Sequence, residues 1–210
     1  MQVTALTAQQ KNKNRINIIV DGTYRFSLDI SQVADLGIKV GREYSTEELQ
    51  ELEVESQFGK VYSRALEYCL SRPHSAKEVR DYLFKKTRDA LMKNGGIKKG
   101  VSTIVTTRVF NRLLERGYID DEKFAPWWVE NRSMKKGISK RKLQAELQIK
   151  GIERTIIERA LGGSQRSDSD ELQKILAKKR ARYPDEQKLM AYLARQGFSY
   201  DDIRKALGRY

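Results

Sequence analysis

Lys142-Leu143-Gln144-Ala145-Glu146-Leu147 and Lys188-Leu189-Met190-Ala191-Tyr192-Leu193 are one motif written twice, 46 residues apart. The alignment continues beyond the motif. Gly151 falls on Gly197, Ile157 on Ile203, and Ala160-Leu161 on Ala206-Leu207, so eight of 20 positions are identical. A fixed internal period of this length is the mark of a repeat architecture. Each copy reads as a helix, a turn containing Gly, and a second short helix. A further helical stretch precedes each copy, at 120–136 and about 168–183, which makes a three-helix unit.

The stretch 61–117 follows the same plan, because Ser75, Val79, Leu83 and Lys86 space as Ser139, Leu143, Leu147 and Lys150 do. Val61, Tyr62, Ala65, Leu66, Cys69 and Leu70 share a helical face, and Pro73 ends that helix. Ser75-Ala76-Lys77-Glu78 is a capping box. Val105, Val109, Phe110, Leu113 and Leu114 form another stripe, closed by Gly117. Asp120 is placed to cap the next helix, with Asp121 and Glu122 in its first turn. Three tandem three-helix repeats are expected, at 60–118, 119–163 and 164–210. Each is too small to bury much alone, so neighbours complete its core. The first carries an insertion, 87–102, rich in Lys and Gly, where Asn94-Gly95-Gly96 breaks any helix.

Residues 1–59 read differently, as a small β-hairpin unit and a linker helix. Arg15–Val20 and Thr23–Leu28 have strand character, and the intervening Asp21-Gly22 suits a two-residue type I′ turn. A short helix over Ser31–Leu36, stopped by Gly37, and a third strand at Ile38-Lys39-Val40 are expected next. Ser45-Thr46-Glu47-Glu48 is a second capping box, opening a helix through Glu55. The fold class is mainly α: an elongated helical array behind a small sheet-containing unit.

The 210 residues contain 41 Lys and Arg against 28 Asp and Glu. One Cys, Cys69, and one His, His74, exclude a disulfide scaffold and a Cys/His zinc cluster. They leave no Ser–His–Asp or Cys–His–Asp set unless His74 carries it alone. Cys69 lies on an apolar stripe and His74 beside a cap, so structural roles are expected for both. Asp120, Asp121 and Glu122 are explained by helix capping without a metal, and no organised set of carboxylates suggests a nuclease. No cofactor and no enzymatic activity are expected. No stretch is apolar enough to cross a membrane, no export signal is recognisable, and the single thiol fits a cytoplasmic protein. A monomer is expected.

The net charge of +13 is unevenly placed. Residues 1–59 carry six basic and nine acidic side chains, whereas 60–210 carry 35 basic and 19 acidic. Such a region attracts polyanions by counterion release. Arg132, Lys135, Lys136, Lys140, Arg141 and Lys142 form a run with no acid between Asn131 and Ala145. Lys174, Lys178 and Arg182 recur every four residues as a stripe, with Lys179 and Arg180 adjacent. Contact with phosphate or an acidic groove is weighed against an ordinary solvated face. Trp127 and Trp128 differ by about 100° around a helix. One is therefore expected to be partly exposed, packed on a neighbouring unit or serving as a contact anchor.

Ser71-Arg72-Pro73-His74-Ser75-Ala76-Lys77-Glu78-Val79 resembles the first-repeat signature of the RecX family, regulators of the RecA recombinase. Leu114-Glu115-Arg116-Gly117-Tyr118-Ile119-Asp120-Asp121-Glu122-Lys123-Phe124-Ala125 is similar to that family's most distinctive stretch. Lys150-Gly151-Ile152, with Ile156-Ile157 and Ala160-Leu161, resembles its second repeat. The resemblance covers 60–210, and the hairpin is similar to the extension of longer members. It departs from the family pattern in the long 87–102 insertion and in Pro73, where a basic residue is common. The resemblance implies binding to RecA filaments on single-stranded DNA, inhibition of ATP hydrolysis and recombination, and regulation of DNA repair and the SOS response. A stand-alone helical nucleic-acid-binding protein is the alternative. Against groove reading, the second helices begin with Glu153 and with Asp201-Asp202, which repel phosphate.

Overall fold

The structure is a computed structural model and describes residues 1–10, 12–91 and 95–208. Asn94, one of the expected helix breakers, and the last two residues of the expected third repeat lie outside the described residues. The chain divides into two compact units. The first comprises Met1–Arg72 and Val79–Tyr118; the second comprises Pro73–Glu78 and the chain from Ile119 onward.

The first unit opens with an antiparallel sheet of β1 (Val3–Ala8), β2 (Arg15–Val20) and β3 (Thr23–Asp29), in the order β1-β2-β3. Asp21 and Gly22 both take positive φ, 47° and 80°, as the two-residue hairpin demands. The third strand is β1, not Ile38-Lys39-Val40. β1 mixes strand-favouring Val3, Thr4 and Thr7 with Ala5 and Ala8, and no Gly or Pro marks a turn between it and β2. Ile38 is buried, but Gly37 and Gly41 flank it with positive φ and hold it in a loop. That loop returns along β1: Val3 N donates to Arg42 O (3.0 Å) and Gly41 N to Val3 O (2.8 Å). It thereby covers an edge that would otherwise expose unpaired backbone groups.

α1 (Ile30–Asp35) leads to α2 (Thr46–Ser71), which begins at the expected capping box. Ser45 Oγ accepts from Glu48 N (3.1 Å), and Glu48 accepts from Ser45 N (2.7 Å). The helix does not stop at Glu55. It runs for 26 residues, across the expected boundary at 59/60, and joins the linker helix to the helix expected from Val61. Gly59 is there for close approach, since a Cβ would meet Gln32 Oε1 at 2.5 Å. The sheet packs on the same stretch, with Ser56 Oγ donating to Ser27 O (2.6 Å). Val3, Ile18, Phe26, Leu28, Leu49 and Leu52 form this core.

α3 (Ala76–Phe84) and α4 (Thr103–Glu115) follow, and between them the insertion forms a ribbon of β4 (Ala90–Leu91) and β5 (Ile97–Lys98). Asp89 closes the ribbon's base by accepting from Lys99 Nζ (2.9 Å) and Gly100 N (2.8 Å). Val105, Val109, Phe110 and Leu113 are buried as the stripe predicts, but Leu114 is 49% exposed. Cys69 is buried, and burial pushes its thiol up to about 11.

The second unit contains α5 (Asp121–Asn131), α6 (Lys140–Ile149) and α7 (Arg154–Gly162), then α8 (Asp168–Lys179), α9 (Glu186–Arg195) and α10 (Tyr200–Ala206). α5 ends at Asn131, short of the expected 136. α8 ends at Lys179, and Arg180–Arg182 form a 3-10 turn. Phe124, Leu143, Leu147 and Ile157 fill one core; Leu172, Leu189, Leu193 and Ile203 fill the other. The aligned repeat positions are therefore core positions. Trp127 and Trp128 are both half-buried beside Phe124, with ring centroids 6.1 and 5.7 Å from it.

Candidate anion-binding surface

The side chains of the second unit are positioned by a joint that occurs twice. Ser139 caps α6, accepting from Lys142 N (3.1 Å). Its hydroxyl also donates to Gln196 O (2.7 Å), the carbonyl at the C-cap of α9. Ser75 caps α3 in the same way, accepting from Glu78 N (3.1 Å) and donating to Lys150 O (2.9 Å) at the C-cap of α6. The first N–H of each capped helix goes to an aspartate that opens another helix. Lys140 N donates to Asp168 (2.7 Å) and Ala76 N to Asp121 (2.8 Å). A hydroxyl can accept and donate at once, so each serine satisfies an orphan N–H of its own helix and an orphan C=O of another. Gly151 and Gly197, with φ of 77° and 90°, end the accepting helices and leave room for the joint. A Cβ on Gly197 would lie 2.5 Å from Ser139 Oγ. At the corresponding cap of α9 stands Asp185, which accepts from Gln187 N and Lys188 N but has no proton to donate.

A buried ionic knot reinforces the joint between α6 and α8. Glu171 is 1% exposed and accepts from Arg166 Nη2 (2.7 Å), Lys174 Nζ (2.7 Å) and Ile138 N (3.0 Å). Arg166 in turn donates to Val129 O (2.6 Å) and Arg132 O (2.8 Å). Burial opposes ionisation of Glu171, but these hydrogen bonds overcome it and hold the carboxyl below its usual range. Lys174, expected as part of an open stripe, is thus spent on structure.

Between α6, α8, α9 and the loop after α5 lies a cavity of about 500 Å³. Arg132, Lys136, Lys142, Lys178 and Lys179 all line it. Two basic clusters read separately along the chain meet in one place. Their freedom differs. Arg132 is fixed by Glu146 through a two-pronged contact (2.7 and 2.9 Å), and that pairing raises its pKa. Glu146 also accepts from Trp128 Nε1 (3.2 Å). Lys142 Nζ donates to Gln196 Oε1 (2.6 Å), and Lys178 Nζ donates to the Lys135 carbonyl. Among the described residues, Lys136, Lys178 and Lys179 form no ion pair with a carboxylate.

The remaining candidates are not brought into the cavity. Lys135, Arg141 and Arg182 are exposed elsewhere on the surface, and Lys140 is half-buried at the start of α6. The expected stripe Lys174–Lys178–Arg182 is not continuous: Lys174 turns to Glu171, and the helix ends before Arg182. Glu146, Tyr192, Gln196 and the Arg166–Glu171 pair were missed. Only the parallel between Ser75 and Ser139 carried a hint of the joint.

The acidic cluster has structural duties. Asp120 accepts from Lys123 N (3.1 Å), Asp121 from Ala76 N (2.8 Å), and Glu122 pairs with Arg159 (2.7 Å). Among the described residues, no group of three or more His, Cys, Asp or Glu is placed to hold a metal ion. His74 is buried, at 3% exposure. No helix among the described residues is long and apolar enough to cross a membrane.

Chemically, the cavity presents ammonium groups without carboxylate partners beside a guanidinium fixed by Glu146, in a concave site open to solvent. That suits a phosphate-bearing chain or an acidic protein surface.

Residues 1–45 match the model described as the regulatory protein RecX N-terminal domain. Residues 120–161 match the RecX second three-helix domain, and 166–207 the third. The chain is 31% identical to the regulatory protein RecX of Bacillus licheniformis, over 98% of this chain and 76% of that protein. It is 30% identical to that of Bacillus subtilis, over 98% and 75%. A crystal structure of a regulatory protein RecX superposes with a TM-score of 0.68 over 97% of both chains at 21% identity. RecX from Lactobacillus salivarius superposes with a TM-score of 0.51 over 72% of this chain and 94% of that one, at 23% identity.

Proposed function

Because this chain belongs to the RecX family of regulatory proteins, we propose that it is a non-enzymatic regulator of the RecA recombinase. In this reading it binds RecA filaments on single-stranded DNA and mainly inhibits them. ATP hydrolysis, strand exchange and co-protease activity fall together, which restrains homologous recombination, DNA repair and the SOS response. It acts in the cytoplasm as a monomer, and its divisions are 1–59, 60–118, 119–163 and 164–210.

One observation supports the reading above the others: the cavity shared by α6, α8 and α9 gathers five cations from two repeats. Lys136, Lys178 and Lys179 are the proposed contact core, Arg132 and Lys142 its fixed flank, and Lys135, Lys140, Arg141 and Arg182 a peripheral field. Lys174 contributes least, being held by Glu171. Acids at the starts of α7 and α10 disfavour the stand-alone groove reader, since Glu153 stands at the N-cap position of one and Asp201 and Asp202 sit in the other's first turn.

The test is RecA's ATP hydrolysis on single-stranded DNA, titrated with this protein at fixed salt. Inhibition well below saturation of the bare strand supports filament regulation. Tight binding to bare DNA without inhibition refutes it.

A further inference from the structure

The N-terminal 59 residues are net acidic, yet the fold gathers cations against them. Arg15 on β2 and Lys60 and Arg64 on α2 line one cavity of about 340 Å³, with Asn12, Tyr24 and Ser63 on its walls. Lys98, on β5 of the inserted ribbon, adds a further positive charge close enough to act on Lys60. The cavity has two acids. Asp29 is committed to Arg15 at 2.7 Å. Arg15 also donates to Ser27 O (2.5 Å) and Ser27 Oγ (3.3 Å), which fixes its guanidinium. Glu67 is exposed, and among the described residues it forms no ion pair with Lys60 or Arg64.

Lys60 is therefore a half-buried ammonium facing like charges. Burial lowers its pKa first, the charges of Arg15, Arg64 and Lys98 lower it further, and Asp29 alone acts the other way. Such an arrangement works against the charged form unless an anion joins it. A perturbed cation in a polar cleft, with others converging on it from separate elements, marks a candidate binding site. A phosphate group, carrying between one and two negative charges and several acceptor oxygens, answers that geometry best. Tyr24, 56% exposed, lines the same cavity.

We propose that this cavity binds a phosphate group, with Lys60 and Arg64 as its direct cations and Arg15 held behind them by Asp29. Nothing in this depends on the partner proposed for the other unit. The phosphate can come from two sources, a free phosphate compound or the backbone of a nucleic-acid strand.

Thermal melting of the full chain in phosphate-free buffer tests the proposal. Pyrophosphate is titrated in one arm and a short single-stranded oligonucleotide in the other. The oligonucleotide arm uses a Lys136→Gln/Lys178→Gln/Lys179→Gln background, which removes the proposed contact core of the other cavity. At about a hundredfold excess over Kd, the binding anion is expected to raise the melting temperature by several degrees. Lys60→Gln and the exposed-site variant Arg64→Gln are each expected to abolish that rise. A rise with pyrophosphate identifies a free phosphate compound; a rise with the oligonucleotide alone identifies a strand. An equal rise in wild type, Lys60→Gln and Arg64→Gln overturns the proposal, as does no rise with either anion.

Discussion

Replacing Glu171 by Gln keeps the side chain's shape and removes its charge. In the native protein Glu171 and Arg166 are nearly closed to solvent, with side-chain exposures of 2% and 8%. Arg166 then keeps its two backbone acceptors but loses its carboxylate partner. Lys174 and Ile138 N lose an anionic acceptor as well. Leaving one member of a buried ion pair unmatched costs about 3–5 kcal/mol. For a chain of this size each kcal/mol lowers Tm by about 2–4 °C, so the expected fall is about 6–20 °C. The low end applies because the Gln carbonyl still accepts one hydrogen bond. Circular dichroism melting at pH 7 measures it. The apolar double variant Arg166→Met/Glu171→Leu is the control. Removing both partners leaves no unmatched charge but takes the acceptor from Ile138 N, at a cost of about 1–3 kcal/mol, so the double variant is expected to lose less than Glu171→Gln. The pH dependence follows from the lowered Glu171 pKa. Its contribution is complete above the unfolded value of 4.5 and is lost as pH falls through the lower folded value. The gap between wild type and Glu171→Gln therefore narrows in acid. A Glu171→Gln protein melting within about 2 °C of wild type at pH 7 would refute the role given to this pair.

Gly197→Ala is expected to cost at least about 1 kcal/mol, through positive φ and the close approach to Ser139 Oγ. Adding Ser139→Ala removes that clash, so denaturant titrations of the two single variants and the double are expected to be non-additive. Lys178→Gln/Lys179→Gln is expected to weaken filament binding and to flatten its salt dependence by about 0.7 for each phosphate no longer neutralised, whereas Arg182→Gln changes little. Equal effects from both variants would move the binding surface out of the cavity. Cys69 is expected to resist alkylation at pH 8 in the native protein and to react at once in denaturant, because it is buried and its thiol is pushed up to about 11. Mass spectrometry reads both states.

Local chemistry and periodicity are written into consecutive residues, and the chain can be read that far. The repeat motif placed Leu143, Leu147, Ile157, Leu189, Leu193 and Ile203, all of which are fully or almost fully buried. The capping residues Ser45, Ser75 and Asp120, and the Asp21-Gly22 turn, were visible because each acts within four residues of itself. The basic clusters were visible as composition, but not as a site. Sequence spacing places Lys174 and Lys178 on one face alike, and only Glu171 packing beside Lys174 separates them. The union of Lys136 with Lys178 and Lys179 depends on how α6 docks on α8, through residues more than thirty positions apart in the chain. β1 is not marked off in the sequence because no Gly or Pro turn separates it from β2, and its pairing with β2 and the returning loop appears only in the fold. From the sequence, one helix ends at Glu55 and another starts near Val61; that the two are one helix depends on α1 packing closely at Gly59, which only the tertiary structure supplies. The serine hydroxyls show the same division most plainly. Their acceptor half belongs to their own helix and is local, while their donor half reaches a carbonyl that only the tertiary fold supplies.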